Sequence, residues 1–151
     1  MAIAAYKPRA VKTARTGLLA RLALSKQPLG AHKQILAGFQ LDMVAKLSKE
    51  TSIEVATICE VVGINRATYY RKAKSQSDSF TVEQSAKLYA FARVMDAATH
   101  LFNGDAAGAA TWLNSPAKGL GGEKPLALLT TPTGVEAVMD LIGRIEHGVI
   151  S

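Results

Sequence analysis

The feature that most constrains the fold is a run of apolar residues with a helical repeat in the middle of the chain. These residues recur at intervals of three and four, which places them on one face of a helix (Leu88, Phe91, Ala92, Met95, Ala98 and Phe102). Thr81 and Gln84 have the spacing of a capping box before this run, and Asn103-Gly104-Asp105 follows it. We therefore predict one long amphipathic helix between residues 81 and 103.

The chain before this helix contains the patterns of shorter helices and a turn. One predicted helix follows Phe39 and carries an apolar face (Leu41, Val44, Ala45 and Leu47). Thr51 with Glu54 has capping-box spacing, so we expect a second helix to begin there, with an apolar stripe over residues 58–62. Gly63 is expected to end that helix, and Asn65 is a favourable N-cap for the next.

Residues 105–148 predict three further helices. Asp105 is expected to cap the first, Pro125 to begin a short second one, and Thr133 with Glu136 to cap the last. We expect the last helix to turn one apolar face inward (Val135, Val138, Leu141, Ile142 and Ile145). Alanine, leucine and lysine are frequent and long β-branched runs are absent, so the predicted fold class is all-α, a helix-turn-helix domain followed by a small helical domain.

Charge is unevenly distributed along the chain. Residues 1–77 contain thirteen Lys and Arg against four Asp and Glu, whereas residues 78–151 contain five against eight. A basic first half beside a mildly acidic second half suggests that a polyanion contacts only the first half. A solvated basic surface would show the same charge balance, so charge alone leaves both interpretations open.

The most informative local pattern is residues 58–72. A helix-turn-helix needs a small residue where its helices approach, a glycine at the turn and apolar residues on both sides. Cys59 provides the small residue and is expected to pack in the core, while Gly63, Ile64 and Tyr69 provide the turn and the apolar positions. The pattern resembles the helix-turn-helix of bacterial regulators, whose second helix enters the DNA major groove.

The outward side of this second helix supplies the candidate DNA contacts. Base contacts are predicted for five outward residues, because arginine pairs with guanine edges and asparagine with adenine edges (Asn65, Arg66, Ala67, Tyr70 and Arg71). Phosphate contacts are predicted for Thr68, Lys72 and Lys74. The alternative is an ordinary helical hairpin with a solvated basic face.

A second resemblance covers residues 97–151. Its anchors are Leu101-Phe102-Asn103-Gly104-Asp105, Ala110-Thr111-Trp112-Leu113-Asn114-Ser115-Pro116, the run from Leu120 to Leu129, and Thr131, Gly134, Val138, Leu141, Arg144-Ile145 and Gly148. In this order they resemble the toxin-binding domain of the Xre/MbcA/ParS antitoxin family. The resemblance implies a type II toxin–antitoxin pair, in which the usual partner is a RES-domain toxin that depletes NAD. It also implies that the C-terminal end of the antitoxin blocks the toxin's active site.

The last residues fit such a role. Gly148 is expected to end the final helix and to leave an apolar tail with a terminal carboxylate, which could enter a cleft. The predicted toxin contacts are Arg144, Glu146, His147, Gly148, Val149, Ile150 and Ser151. A frayed terminus is the alternative.

The domain organisation follows from these patterns. Residues 1–38 form a basic arm with short helical pieces broken at Gly17, Pro28 and Gly30, residues 39–96 form the helix-turn-helix domain, and residues 97–151 form the toxin-binding domain. Because one helix-turn-helix reads only a few base pairs, we expect a homodimer. Its surface would come from the long helix around Leu88 to Met95 or from the arm.

Enzymatic activity has little support in the sequence. His32, His100 and His147 are scattered, and Gly119-Leu120-Gly121-Gly122 has neither the preceding strand nor the Gly-Lys-Ser/Thr ending of a phosphate loop. No cofactor, metal or catalytic residue is therefore predicted. The single cysteine and the absence of a long apolar run predict a cytoplasmic protein without a membrane partner. The alternative function is a transcription regulator whose second half dimerises or senses a ligand.

Overall fold

The computed structural model describes residues 17–75 and 79–148, and these residues fold into helices around one hydrophobic core. The α-helices are α1 (Leu18–Arg21), α2 (Pro28–Ala37), α3 (Asp42–Thr51), α4 (Val55–Val62), α5 (Arg66–Ser75), α6 (Val82–Leu101), α7 (Ala106–Leu113) and α8 (Pro132–Glu146). Two 3₁₀ helices, Lys118–Leu120 and Pro125–Thr130, lie between α7 and α8. Within 17–75 and 79–148 there is no strand, only an isolated bridge between Gln40 and Ser79, so the all-α prediction is confirmed.

Helix α6 is the centre of the molecule, as its apolar repeat predicts. Leu88, Phe91, Ala92, Met95 and Ala98 are all buried, and α1, α2, α7 and α8 pack around them. The predicted capping box is present: Thr81 Oγ1 accepts from the Gln84 amide at 3.0 Å, and Gln84 Oε1 accepts from the Thr81 amide at 3.0 Å. Because these apolar side chains are buried in the core, they cannot form the dimer surface predicted around Leu88 to Met95.

The segment before α2 is part of the core. Four leucines of residues 18–24 are buried against the rest of the chain (Leu18, Leu19, Leu22 and Leu24). The Leu19 amide donates to Asp96 Oδ1 at 3.3 Å, and the Tyr89 hydroxyl donates to the Ser25 carbonyl at 2.6 Å. The predicted break at Gly30 is wrong, because Gly30 lies inside α2, where a side chain would collide with Ser25.

Two predicted helix starts are wrong. Thr51 is the last residue of α3 and not an N-cap; its hydroxyl donates to the Leu47 carbonyl at 2.7 Å and accepts from the Ile53 amide at 3.2 Å. Helix α4 begins after Glu54, whose side chain makes no capping bond. Helix α8 is capped by Thr131, which accepts from the Gly134 amide at 3.0 Å, so it begins two residues before the predicted Thr133.

Two positions of the predicted apolar faces are not in the core. Ala45 is exposed, whereas Met43 of the same helix is buried. Ile145, in the last turn of α8, is 36% exposed, whereas Val138 and Ile142 of the same helix are buried. Trp112 is half-buried and packs against the core, with its ring 6.3 Å from that of Phe102.

Neither a membrane span nor a metal site occurs in the part of the chain that the structure describes. None of its helices combines the length and apolarity needed to cross a bilayer. Its His, Cys, Asp and Glu side chains form no group of three or more with the geometry of a metal site.

Candidate nucleic-acid interface and C-terminal surface

Helices α4 and α5 meet at the turn that the sequence predicts. Gly63 ends α4 with φ +73°, a left-handed conformation that glycine adopts without steric cost. The Ile64 amide donates to the Cys59 carbonyl at 2.8 Å, and the Ile64 side chain is buried. Asn65 Oδ1 then accepts from the Thr68 amide at 2.9 Å and caps α5. This turn therefore fixes the direction in which α5 leaves the core.

Helix α5 has one buried side and one solvent-facing side. Tyr69 is its one buried residue, and the Tyr69 ring stacks on Phe80 with ring centres 6.3 Å apart and planes 9° apart. The five predicted base-contact residues are all exposed, as is Lys74, whereas Thr68 and Lys72 are half-buried. The exposed candidates thus form the accessible side of α5, and Thr68 and Lys72 lie at its edge.

The four cations of α5 stand close together on a helix without acidic residues. Arg66, Arg71, Lys72 and Lys74 make no ion pair with any described residue, and α5 contains no Asp or Glu. Several cations elsewhere have carboxylate partners within 4.0 Å (Lys46 with Asp42, Lys87 with Glu83, Arg93 with Glu136, Arg144 with Asp140), whereas Lys33, Lys49, Lys118 and Lys124 have none among the described residues. The face of α5 is therefore a concentration of positive charge that no carboxylate in the described parts of the chain pairs with.

The residues beneath this face are chemically inert. Cys59 is fully buried, and burial raises the pKa of its thiol, with the nearby Arg66 guanidinium lowering it to a smaller extent. Burial also raises the pKa of Tyr69. Both groups are therefore neutral at physiological pH, and Cys59 is a small packing residue, as predicted.

The predicted toxin contacts that the structure describes already have intramolecular partners. Arg144 Nε lies 3.2 Å from Asp140 Oδ2, and Glu146 Oε2 lies 3.3 Å from His100 Nε2 on α6. His147, the residue after α8, has its Nδ1 2.7 Å from the Gly143 carbonyl oxygen. The backbone leaves the helix at Gly148 with φ +80°, and Val149, Ile150 and Ser151 lie outside the described residues.

The outer face of α8 includes residues that sequence reasoning missed. Glu136 and Asp140, which were not predicted, share this face with the predicted contact Glu146 and with Gly143, whose position has open space for a side chain. His100 was missed as the partner of Glu146 because the two residues are far apart in sequence. A glycine inside a helix lowers the stability of that helix. Gly143 was therefore a feature of the sequence that could have drawn attention to this face of α8.

Glycines shape the connection from α7 to α8 in two ways, by adopting positive φ angles and by allowing a close backbone contact. Gly121 and Gly122 have φ values of +67° and +85°, which allow the Gly122 amide to donate to the Ala117 carbonyl at 2.9 Å. A side chain at Gly134 would overlap the Leu128 carbonyl, so this glycine lets α8 pack against the preceding 3₁₀ helix. The glycine-rich segment therefore shapes the domain and forms no phosphate loop.

Comparison with known proteins gives two family matches. Residues 30–93 match the antitoxin Xre-like helix-turn-helix domain, and residues 97–148 match the antitoxin Xre/MbcA/ParS C-terminal toxin-binding domain. Two curated relatives are both named antitoxin Xre. The one from Yersinia enterocolitica is 44% identical over 117 residues, 78% of each chain. The one from Photorhabdus laumondii is 39% identical over 114 residues, 76% of each chain.

Proposed function

The chain belongs to the Xre/MbcA/ParS antitoxin family, a non-enzymatic regulatory family, and on this premise we propose how it engages its two partners. The exposed face of α5 binds the operator of its own operon as part of a homodimer. The C-terminal domain binds and inhibits a RES-type, NAD-depleting toxin. Both activities take place in the cytoplasm.

The observation that supports DNA binding is the uncompensated charge of α5 in a helix-turn-helix setting. Four cations on one accessible helix match the phosphate backbone, whose neutralisation provides salt-dependent affinity. Arg66 and Arg71 are exposed and are assigned to base edges, with Lys72 and Lys74 on phosphates. Asn65 is assigned first as a helix cap, because its carboxamide oxygen is already bonded to the backbone.

A titration of promoter DNA at several salt concentrations tests this assignment. The Arg66→Ala/Arg71→Ala variant is expected to lose about 1–3 kcal/mol per base contact, together with much of its sequence preference. The matched control is Lys118→Ala/Lys124→Ala, which removes two exposed cations from the C-terminal domain. Equal promoter affinity for wild type and the arginine variant would contradict the assignment.

The match of residues 97–148 to a toxin-binding domain supports a toxin as the second partner. The RES type and NAD depletion rest on the resemblance in the sequence. The carboxylates of the α8 face would complement the basic cleft that an NAD-consuming enzyme needs for the substrate pyrophosphate. We propose that the tail after Gly148 enters this cleft, while Glu146 and His147 hold the end of α8 in place.

Co-expression with the neighbouring gene tests toxin binding. We expect the product of that gene to co-purify with the chain and to consume NAD only when the chain is absent. A neighbour that neither co-purifies nor consumes NAD would favour the alternative, a transcription regulator whose second half dimerises or senses a ligand.

A further inference from the structure

Lys87 of α6 extends its side chain over the turn of the helix-turn-helix. A side chain at Gly63 would place its Cβ atom 3.6 Å from the Lys87 Nζ atom, so the ammonium lies beside the backbone of the turn. Gly63 is exposed, and Arg66, the first residue of α5, follows it after two residues. The Lys87 cation therefore stands near the end of α5 where the candidate base contacts begin, although it belongs to a different helix.

The carboxylate that partners this ammonium holds it only weakly. Among the described residues that partner is Glu83, one turn earlier on α6, with 3.8 Å between Lys87 Nζ and Glu83 Oε1. The Glu83 side chain is 84% exposed and the Lys87 side chain 45% exposed. An ion pair between side chains this solvated contributes little to the stability of a fold. The ammonium can therefore exchange this carboxylate for another anion.

The surroundings of Lys87 leave room for a large anionic partner. Gly63 has no side chain, and Ala86, the residue before Lys87, is small and exposed. Arg66 forms no ion pair with a described residue, and neither does Glu60, the carboxylate in the last turn of α4. The turn is thus a low, accessible surface with a cation on each side of it, one from α5 and one from α6.

We propose that Lys87 is a DNA-contact residue whose ammonium binds a backbone phosphate where the duplex passes the turn between α4 and α5. The inference rests on the DNA binding of the proposed function and adds a contact from outside α5. In the free chain Glu83 partners the ammonium, and on the operator a phosphate takes its place. A phosphate contact positions a protein without reading sequence. Because Lys87 is held by the central helix and Arg66 by α5, the two contacts together fix the angle at which α5 enters the groove.

A structural role for Lys87 is the competing explanation. A cation near the C-terminal end of a helix interacts favourably with the carbonyl groups there, and the ammonium lies beside the residue that ends α4. The last turn of α4 is, however, closed by backbone groups. The Gly63 amide donates to the Glu60 carbonyl at 3.3 Å, and the Ile64 amide donates to the Cys59 carbonyl at 2.8 Å. We therefore expect Lys87→Gln to keep the wild-type free energy of unfolding.

A titration of promoter and random DNA at several salt concentrations tests the phosphate contact. Lys87→Gln should weaken binding to both DNAs alike and lower the slope of log affinity against log salt by about 0.9. Between about 50 and 200 mM salt, wild type should then lose about threefold more affinity than the variant. Lys87→Arg, which keeps the charge, and the matched control Lys118→Gln, at an exposed site in the C-terminal domain, should retain the wild-type slope. An unchanged slope for Lys87→Gln, or lost affinity together with a lowered free energy of unfolding, would overturn the proposal.

Substitution of Glu83 tests the exchange of partners. Glu83→Gln should raise DNA affinity in the wild-type background, because it removes the carboxylate that competes with the phosphate. The rise should be smaller in the Lys87→Gln background, where no ammonium is released. Unchanged or lowered affinity for Glu83→Gln in the wild-type background would overturn the proposal.

Ethylation interference locates the contact and separates this proposal from the proposed function. Ethylation of one phosphate should interfere with binding by wild type and cease to interfere with binding by Lys87→Gln. The same interference pattern for both proteins would overturn the Lys87 contact and leave the assignment of α5 intact. Wild-type promoter affinity for Arg66→Ala/Arg71→Ala would instead overturn the proposed function on which the contact rests.

Discussion

At the scale of single residues, several side chains in the candidate interface make intramolecular contacts that stabilise the fold. Asn65 is exposed on the proposed DNA face, yet its oxygen caps α5. Tyr69 and Tyr70 are adjacent, but one is buried against Phe80 and the other is 51% exposed. The sequence predicted which residues face outward because helical periodicity decides this. It also predicted the cap at Asn65, but assigned the same side chain to a base contact, and the two roles compete for its oxygen.

Substitutions of Asn65 separate capping from DNA contact. Asn65→Ala should lower the free energy of unfolding by about 1 kcal/mol, because the Thr68 amide loses its partner. Asn65→Asp retains the cap and should unfold like wild type, but its negative charge on the proposed DNA face should weaken promoter binding. Urea denaturation and a DNA titration measure the two effects. Wild-type promoter binding by Asn65→Asp would place this residue outside the DNA interface.

Two glycines of α8 should respond to alanine in opposite ways. Gly143→Ala should stabilise the protein by about 0.5–1 kcal/mol, because the added methyl group meets no other atom and alanine favours the helix. Gly134→Ala should destabilise it, because the methyl group would overlap the Leu128 carbonyl. Thermal unfolding of both variants provides the comparison. Similar melting temperatures for the two would contradict the described packing of α8.

At the scale of helices, the sequence predicted the existence of nearly all of them and misplaced some of their ends. Thr81 with Gln84 and Thr51 with Glu54 have the same spacing, but only the first pair begins a helix. Thr51 belongs to the preceding helix because Ser52 adopts a left-handed conformation and Ile53 packs in the core. A local motif cannot reveal this difference, since tertiary burial of Ile53 decides it.

Thr51 and Glu54 should therefore contribute differently to the free energy of unfolding. Thr51→Val should cost about 1–3 kcal/mol, because the Ile53 amide would be left without its partner in a buried position. Glu54→Ala should leave the free energy of unfolding almost unchanged, since the Glu54 side chain caps nothing. Urea denaturation measures both values. An equal loss of unfolding free energy for the two substitutions would support the capping box predicted from the sequence and contradict the structure.

At the scale of the whole molecule, the two functional halves share one core around α6. The family matches divide at residues 93 and 97, in the middle of this helix, and the leucines of residues 18–24 pack on it although they precede both matches. The sequence predicted the α6 face that receives them, but not the packing of residues 18–24, because contacts such as Leu19 with Asp96 join distant positions. The proposed surfaces nevertheless lie apart, on α5 and at the end of α8.

The central claim is that one chain carries two separable binding activities, and one paired assay tests it. Promoter binding and growth rescue from the toxin are measured for Arg66→Ala/Arg71→Ala and for a chain that lacks residues 148–151. The arginine variant should lose promoter binding and still protect cells. The shortened chain should bind the promoter and fail to protect, with its fold preserved because Val135, Val138 and Ile142 still dock α8. Full protection by the shortened chain, or intact promoter binding by the arginine variant, would contradict the account.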